Sequence, residues 1–263
     1  MAEQIASHIT ADFEFSSAGI VASEGVAADR AAFAALEAAG FPTRPHSAVQ
    51  LTTELGNGVG LIVCMNSSQR DALSFRFPYI ETPVVVMPTD VGDPFGGTPE
   101  RYAASVSAIH KGLLALLTEV APFTEEDAKQ AAKMESLCFS RPWREDDFLH
   151  AASDETYIGF VARFGQKVIG YAFANELLGE AEFLKIAVLP EFRRSGVART
   201  LMFATLDACR ARGTSICFLE VRQSNEGAQR LYEGFGFSPI AIRKNYYEAP
   251  CEDAVIMKKE WTE

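Results

Sequence analysis

The string VLPEFRRSGVA, residues 188–198, constrains the fold of this 263-residue chain more than any other feature. It has the pattern of an apolar strand end, a tight turn and the first turn of a helix. Free amide groups at the start of a helix point the same way and carry partial positive charge, so they can hold a pyrophosphate. Gly196 and Ala198 keep side chains away from an approaching phosphate, and Arg193 and Arg194 add cationic donors. The string predicts a nucleotide-diphosphate site, although plain turn chemistry would also place a glycine here.

A second string adds an acid and a phenol. Glu220 lies in the apolar run FLEVR at 218–222, and a helix that follows Asn225 contains Tyr232 and ends in the run GFGF at 234–237. A single carboxylate in an apolar strand destabilises the fold unless it is paired or solvated. The string therefore describes a buried strand that carries one acid, an asparagine at the next turn and a helix that ends in Gly-Phe.

Together, the two strings resemble the GNAT superfamily of N-acetyltransferases. Further motifs are similar to the RimI-like ribosomal-protein-alanine N-acetyltransferases within that superfamily. These motifs are ExxCF at 135–139, PW at 142–143, LEVR at 219–222, LYE at 231–233 and RKNYY at 243–247. The resemblance covers nearly all of residues 123–263.

The resemblance implies a role for each matching residue. Glu220 would be the general base that accepts a proton from the substrate amine through water, and Tyr232 would be the general acid that protonates the departing thiolate. The side chain of Asn225 would contact acetyl-CoA. The strand Ile186, Ala187 and Val188 would pair with the pantetheine arm, and the loop Arg193, Arg194, Ser195, Gly196, Val197 and Ala198 would hold the pyrophosphate. Transfer would be direct, without a covalent enzyme intermediate and without a metal.

The implied acceptor is a protein N-terminal amine, in particular the N-terminal alanine of a small-subunit ribosomal protein. A small-molecule amine and a lysine side chain are the alternatives. The individual residues also have structural alternatives: Glu220 could be paired with Arg222 or Arg243, Tyr232 could be a half-buried helix aromatic, and the tyrosines at 246–247 could be plain strand residues.

The sequence pattern indicates a boundary between two segments near Pro122. A helical stretch at 99–120 ends before this proline, and Thr124, with an acid three residues on, has the pattern of a new helix start. We therefore expect two α/β domains, at residues 1–121 and 122–263.

Apolar patterns predict the elements of both domains. In the first domain, expected strands at 12–15, 59–65 and 82–87 alternate with helices at 27–39, 67–75 and 99–117, which indicates a βαβ layout. In the second domain, the expected order is helices at 125–137 and 145–152, strands at 156–164, 167–176 and 181–188, a helix at 196–212, a strand at 215–221, a helix at 225–235 and strands at 238–247 and 253–259. The run FGQK at 164–167 should form a hairpin turn in a mixed, mostly antiparallel sheet.

Residues 1 to about 118 resemble a different family, the low-molecular-weight protein tyrosine phosphatases. The resemblance is carried above all by the run DPFGGTPE at 93–100, followed by Tyr102. In that family the matching aspartate, here Asp93, is the general acid that protonates the leaving oxygen. A phosphatase-like domain is therefore expected, with a parallel sheet.

The nucleophile of that family does not match. Its cysteine lies in a Cys-x5-Arg phosphate loop that precedes the segment corresponding to Met1. Cys64 and Arg70 have the same spacing, but the residues between them contain no glycine and begin a helix after a different strand. We expect a truncated domain with an incomplete sheet and no catalysis of its own. A reading frame that begins upstream and restores the loop would make the protein bifunctional.

Composition excludes several functions. The net charge of −11 argues against broad binding of nucleic acid, which depends on Lys and Arg. No stretch reaches the ~20 apolar residues of a membrane helix, so a cytoplasmic location is expected. The five cysteines lack C-x-x-C spacing, which indicates free thiols and no metal site. The oligomeric state is left open.

Overall fold

The computed structural model describes residues 1–88, 90–248 and 250–261, and it divides into two compact units, Met1–Leu117 and Thr118–Glu263. The expected helical stretch at 99–120 is too long, because its last residues form a strand of the second unit. The helix ends at Leu116, and Thr118–Pro122 pairs with the strand Tyr157–Phe164. Pairing with an existing sheet satisfies the backbone groups of this segment, which is why it leaves the helix.

The first unit contains α1 (Ala2–Ile9), α2 (Arg30–Ala38), α3 (Thr53–Asn57), β1 (Ile62–Cys64), α4 (Ser67–Arg76), β2 (Val84–Val86) and α5 (Pro99–Leu116). Strands β1 and β2 pair in parallel, as expected for an incomplete parallel sheet. Helices α1 and α2 pack against α5 around the buried side chains of Ile5 and Leu36. The sequence patterns predict neither α1 nor α3.

The strand expected at 12–15 does not form. Phe15 packs against the core of the first unit, while Phe13 is 57% exposed. Apolar alternation predicts which side chain is buried here, but a strand also needs a neighbour for its amide and carbonyl groups. Among the described residues, the sheet of this unit consists of β1 and β2 alone.

The second unit contains β3 (Thr118–Pro122), α6 (Ala128–Cys138), α7 (Glu145–Ser153), β4 (Tyr157–Phe164), β5 (Lys167–Leu177), β6 (Glu180–Val188), α8 (Val197–Ala211), β7 (Ile216–Arg222), α9 (Glu226–Glu233), β8 (Ser238–Glu248) and β9 (Cys251–Glu260). The order in the sheet is β3-β4-β5-β6-β7-β9-β8. Among the described strand pairs of this seven-stranded sheet, only β6–β7 is parallel, so the expected mixed, mostly antiparallel sheet is confirmed.

Local signals in the second unit form as the sequence predicts. Thr124 and Asp127 make a reciprocal capping box, with 2.9 Å between Thr124 N and Asp127 Oδ2. The turn between β4 and β5 contains Gly165 at a φ of +56°, a conformation that glycine adopts without strain. These two features fix where the first helices begin and how β4 enters β5.

Helices cover both faces of the sheet at β5. A side chain added at Gly170 would meet Leu201 of α8, whereas the next residue, Tyr171, has its ring 5.1 Å from that of Phe148 in α7. Successive strand residues point to opposite faces, so α8 and α7 lie on opposite sides of the sheet. Phe148 and Phe173 are fully buried in the aromatic core on the α7 side. This double layer holds β5 and β6 rigidly on one side of the cleft described next.

Candidate active site

The sheet opens between β6 and β7. The two strands pair from Glu180 and Ile216 to Phe183 and Leu219, and among the described residues they pair no further with each other. Strand β6 nevertheless stays paired with β5 as far as Val188. The backbone of residues 186–188 therefore presents one free edge to the gap, and such an edge can pair with an extended ligand arm.

A tight turn follows β6 and leads into α8. Gly196 begins the helix at a φ of +96°, and the space where a side chain would lie is open. The first hydrogen bond of α8 joins Thr200 N to Gly196 O at 3.1 Å, so the amides before Thr200 precede the helical ladder. Val197 is buried and Ala198 is half-buried. This end of the helix has the geometry of an anion site next to the gap.

The side chains of the turn mostly stabilise the turn itself. Arg193 Nε donates to Val188 O at 3.0 Å, and Ser195 Oγ donates to Phe192 O at 2.6 Å. Arg194 is exposed and has a φ of +64°. Among the two arginines that the sequence suggests as phosphate donors, Arg194 faces solvent, while Arg193 is bonded to the end of β6.

Glu220 lies on β7, directly after the last residue paired with β6, and its side chain is 19% exposed. Arg243 Nη1 lies 2.5 Å from Glu220 Oε1. The Tyr246 hydroxyl also donates to this carboxylate, and that bond is the largest cause of the raised pKa of Tyr246. The ion pair with Arg243 is one of the structural alternatives that the sequence leaves open, whereas Arg222 pairs with Glu252 instead.

Tyr232 is buried in α9, with its ring 6.3 Å from that of Phe183. Burial, with a smaller contribution from Tyr247, raises the pKa of Tyr232 well above its usual value. Burial and the charge of Glu220 raise the pKa of Tyr247 to about 12. The acid on β7 and the phenol on α9 therefore both interact electrostatically with Tyr247.

Asn225 begins α9, and its Oδ1 accepts a hydrogen bond from Ala228 N at 3.2 Å. This bond satisfies one of the free amides at the start of the helix. The residue that the sequence suggests for cofactor contact is thus also the N-cap of the helix that carries Tyr232.

Sequence reasoning gives less weight to the two tyrosines at 246–247 than the structure does. A bulge in β8 between Arg243 and Tyr247 shifts their register against β9, and Asn245 adopts a φ of +52° within it. Bulges change the direction of nearby side chains. The run RKNYY contains an asparagine, which tolerates a positive φ better than most residues. This asparagine is the one sequence signal that could have predicted the bulge.

The first unit places its candidate residues differently. Asp93 is exposed, and its Oδ1 accepts a hydrogen bond from Phe95 N at 3.0 Å, which closes a short turn. Tyr102 is buried and donates to Asp29 Oδ2 at 2.5 Å. The aspartate that the phosphatase resemblance suggests as an acid is thus part of an exposed loop.

Cys64 is the one cysteine in residues 1–117. It is buried at the end of β1, and burial raises the pKa of its thiol, although the charge of Arg70 opposes the shift. A thiol must ionise to act as a nucleophile, so this environment disfavours phosphatase chemistry at Cys64.

Two negative findings concern the described part of the chain. It contains no group of three His, Cys, Asp or Glu residues that could hold a metal ion. It also contains no helix that is long and apolar enough to span a membrane.

Both units match known families. Residues 124–237 match the sequence model of the acetyltransferase (GNAT) family, and residues 1–126 match that of the low molecular weight phosphotyrosine protein phosphatases. The second unit thus carries a GNAT domain, and the first unit is a phosphatase-like domain that precedes it.

Relatives of the second unit have named activities. The ribosomal protein bS18-alanine N-acetyltransferase of Haemophilus ducreyi is 38% identical over 136 residues, which are 51% of this chain and 93% of that protein. The enzyme of the same name from Escherichia coli strain K12 is 36% identical over 133 residues, 50% of this chain and 89% of that protein. The crystal structure of the ribosomal-protein-S18-alanine N-acetyltransferase from Escherichia coli superposes with a TM-score of 0.51 at 33% identity, covering 54% of this chain and 93% of that chain.

Proposed function

Since this chain belongs to the GNAT acetyltransferase family and is an acetyl-CoA-dependent N-acetyltransferase, we propose that its acceptor is a protein N-terminal amine, specifically the N-terminal alanine of a small-subunit ribosomal protein. The observation that supports this proposal most strongly is the open β6–β7 cleft, with Glu220 on β7 directly after the last residue paired with β6. The relatives named for acetylation of an N-terminal alanine support the choice of acceptor.

In the proposed reaction, Glu220 takes a proton from the substrate ammonium, through water. The neutral nitrogen then attacks the carbonyl carbon of the thioester, so that a C–N bond forms and the C–S bond breaks. Tyr232 gives its proton to the departing sulfur, and the nitrogen loses its surplus proton through water to the phenolate of Tyr232. The products are the amide and free coenzyme A, with Tyr232 neutral again and one proton left on Glu220. Because its pKa is raised, Tyr232 is protonated at every working pH, as a general acid must be before it acts.

The remaining residues of the site bind and orient. The free edge of residues 186–188 pairs with the pantetheine arm, and the amides at the start of α8 hold the pyrophosphate. Tyr246 and Arg243 hold the carboxylate of Glu220 in one orientation through a hydrogen bond and an ion pair. Asn225 sets the start of the helix that carries Tyr232.

The acidity of the acceptor favours a chain end over a lysine side chain. An α-amine has a pKa of about 7.7–8.0, whereas a lysine amine has one of about 10.4. Deprotonating the lysine at neutral pH is therefore harder by about 3.5 kcal/mol. The carboxylate of Glu220, although it is already bonded to Arg243 and Tyr246, is a strong enough base to deprotonate an α-amine.

The test is a matched pair of peptides incubated with the protein and acetyl-CoA. Both begin with alanine followed by basic and aromatic residues that include lysine, and the second has its α-amine blocked. Mass spectrometry of the products should show one acetyl group on the free α-amine of the first peptide and none on the second. Acetylation of lysine in the blocked peptide, or of neither peptide, would contradict the proposed acceptor.

The proposed acceptor also places the enzyme in the cytoplasm, where ribosomal proteins are made. All five cysteines are free thiols, which accords with a reducing compartment.

A further inference from the structure

The second unit contains a cleft that the proposed reaction does not use, here called the α8 cleft. It lies between α8, the end of α9 and the end of β9, and it contains about 440 Å³ of empty space. Cavities of roughly 300–1,000 Å³ hold small molecules in proteins. The lining includes three aromatic and three charged side chains, namely Phe203, Phe235, Trp261, Asp207, Arg210 and Lys259.

The α8 cleft lies on the face of the sheet opposite the proposed base. Lys259 of β9 pairs directly with Cys217 of β7, and directly opposite residues of an antiparallel pair share a face. Glu220 is three residues after Cys217, and side chains alternate along a strand, so these two residues point to opposite faces. Lys259 and Glu220 are therefore separated by the sheet.

The α8 cleft is also separate from the start of α8, where the proposed pyrophosphate site lies. Leu206 borders the cleft and is ten residues after Gly196. At about 1.5 Å per residue, the two residues are about 15 Å apart along the helix axis. The cleft is thus a second cavity, distinct from the sites assigned to the acceptor amine and to the pyrophosphate.

The aromatic side chains of the α8 cleft leave room for a further ring. Phe203 is 62% exposed, and Phe235 and Trp261 are half-buried. Among the described residues, none of these three rings stacks on another aromatic ring or meets one edge to face. Aromatic rings gain stability from such pairs, so three unpaired rings around one cavity favour a flat aromatic ligand.

A half-buried ammonium in the α8 cleft has no carboxylate partner. Lys259 Nζ donates to Phe235 O at 2.7 Å and lies 5.2 Å from the ring centre of Trp261. Gly236 allows this close approach, because a side-chain carbon added there would lie 3.2 Å from Nζ. Within the part of the chain that the structure describes, Lys259 forms no ion pair. Partly buried charges are usually paired, so the cleft offers a place for an anion.

The charges of the α8 cleft sum to a positive value. Arg210 lies three residues after Asp207 on α8, and both are exposed. Together with Lys259, they give the lining two cations and one anion, whereas the whole chain has a net charge of −11. A positive cleft in an acidic protein concentrates small anions from solution.

We propose that the α8 cleft binds an aromatic carboxylate: the ring of the ligand lies among the three aromatic side chains, and its carboxylate contacts Lys259 and Arg210. This site is independent of the proposed acceptor, because it lies on the other face of the sheet. Asp207 repels the carboxylate, so the charged residues of the cleft have opposite effects on binding.

The probe is 1-naphthaleneacetate, and 1-naphthaleneacetamide is the neutral control of the same shape. The chain has two tryptophans, Trp143 and Trp261, so a proton–nitrogen correlation NMR spectrum of the full chain shows two indole N–H peaks, which Trp261→Phe assigns. The acid should move only the Trp261 peak, with a Kd of about 1 mM or tighter, as expected for about fourteen heavy atoms. The amide should bind at least about fivefold more weakly, because it cannot pair with the cations. Acetate, which has no ring, should not move the peak.

Two neighbouring lysines provide a matched pair of variants. Lys259→Met should weaken binding of the acid by about fivefold or more, because it removes the ammonium but keeps most of the side chain. Lys258, the adjacent residue, pairs with Phe218 on the other face and forms an ion pair with Glu260, so Lys258→Met should leave the Kd unchanged. The affinity for the amide should stay within about twofold in both variants, since the amide has no charge to lose.

An exposed residue gives the opposite sign. Asp207→Asn removes the one negative charge of the lining and should strengthen binding of the acid by about twofold. A general disturbance of the fold would weaken binding and would not strengthen it. If Lys259→Met does not fold, Asp207→Asn and the comparison of acid with amide still decide the question.

Several results would overturn the proposed site. An unmoved Trp261 peak at about 10 mM acid, or equal Kd values for acid and amide, would remove the ligand class. Equal movement of the Trp143 peak would show adventitious binding. Displacement of the acid by acetyl-CoA would assign the cleft to the donor site, and a Trp261 peak that shifts with protein concentration would show that a second copy of the chain covers it.

Discussion

The two units of this protein differ in what their sheets can do. In its described residues the first has two strands of three residues each, and separating them would remove the sheet altogether. The second has seven strands, so β6 can separate from β7 while β6 keeps its pairing with β5 and β7 keeps its pairing with β9. Two strands of a sheet can separate and expose a binding edge only where each of them keeps its backbone hydrogen bonds to its other neighbour.

The placement of reactive groups follows the same division. In the first unit, Cys64 is buried in a strand and Asp93 is exposed in a loop. In the second unit, Glu220 and Tyr232 lie on different elements, and both interact electrostatically with Tyr247. We therefore assign acetyl transfer to the second unit, and we expect changes in the first unit to leave this activity intact.

The largest expected effect concerns the core that supports the opening. Phe148 is fully buried and contacts four aromatic rings, so Phe148→Ala should lower the free energy of unfolding of the second unit by about 3–5 kcal/mol. Phe75 of the first unit is 87% exposed, and Phe75→Ala should change stability by less than about 0.5 kcal/mol. Urea denaturation followed by circular dichroism measures both. Equal costs would mean that the aromatic cluster does not support the sheet.

The next effect separates the two units by activity. Glu220→Gln and Tyr232→Phe should each lower kcat/KM for peptide acetylation by about 10²-fold or more, because each removes a proton-transfer group. Cys64→Ser should leave kcat/KM unchanged. Steady-state assays of thiol release measure all three variants, and normal turnover in both second-unit variants would refute the assignment of base and acid.

A pH profile sharpens the role of Tyr232. The pKa of Tyr232 is raised, and that of the adjacent Tyr247 is about 12, so both phenols keep their protons when an ordinary tyrosine would lose its own near pH ~10. The value of kcat/KM should rise as the peptide α-amine loses its proton around pH ~8, and it should then stay level to pH ~10. A fall with a midpoint below pH ~10 would indicate an acid with an ordinary or lowered pKa.

The smallest expected effect compares two helix caps. Asn225 caps α9 in the second unit and Asp29 caps α2 in the first, each through a side-chain oxygen. Loss of either cap by substitution with alanine should lower the free energy of unfolding by about 1 kcal/mol. Only Asn225→Ala should also raise the Kd for acetyl-CoA, measured by calorimetry. A similar loss of acetyl-CoA affinity in Asp29→Ala would contradict the assignment of acetyl-CoA binding to the second unit.

Much of the second unit is predictable from its sequence, because its signals are local. The glycine at 165 marks the β4–β5 turn, the capping box at 124–127 marks a helix start, and apolar periodicity gives the strands within one or two residues. Glu220 and Tyr232 are found because the strings around them resemble those of the GNAT superfamily, and an acid in an apolar strand also needs a partner or solvent.

Other features depend on contacts that a local pattern does not contain. Among the described residues, no strand pairs with the segment at 12–15, so the strand expected there does not form. Residues 118–122 pair with β4 instead, so they do not continue the expected helix. The ion pair of Lys185 with Glu135 joins residues 50 positions apart. Only an acid at helical spacing from Ala128 and Ala131 hinted that the buried face of α6 holds a charge.

Binding of acetyl-CoA tests the central claim most directly, because the account places the donor at the free edge of β6 and the start of α8. Calorimetric titration of the full chain should show one molecule of acetyl-CoA bound per chain. Gly196→Val should weaken that binding at least about tenfold, since a residue with a side chain is strained by about 1–2 kcal/mol at a φ of +96° and obstructs the open space above the turn. No binding to the unaltered chain, or equal binding to both proteins, would contradict the account.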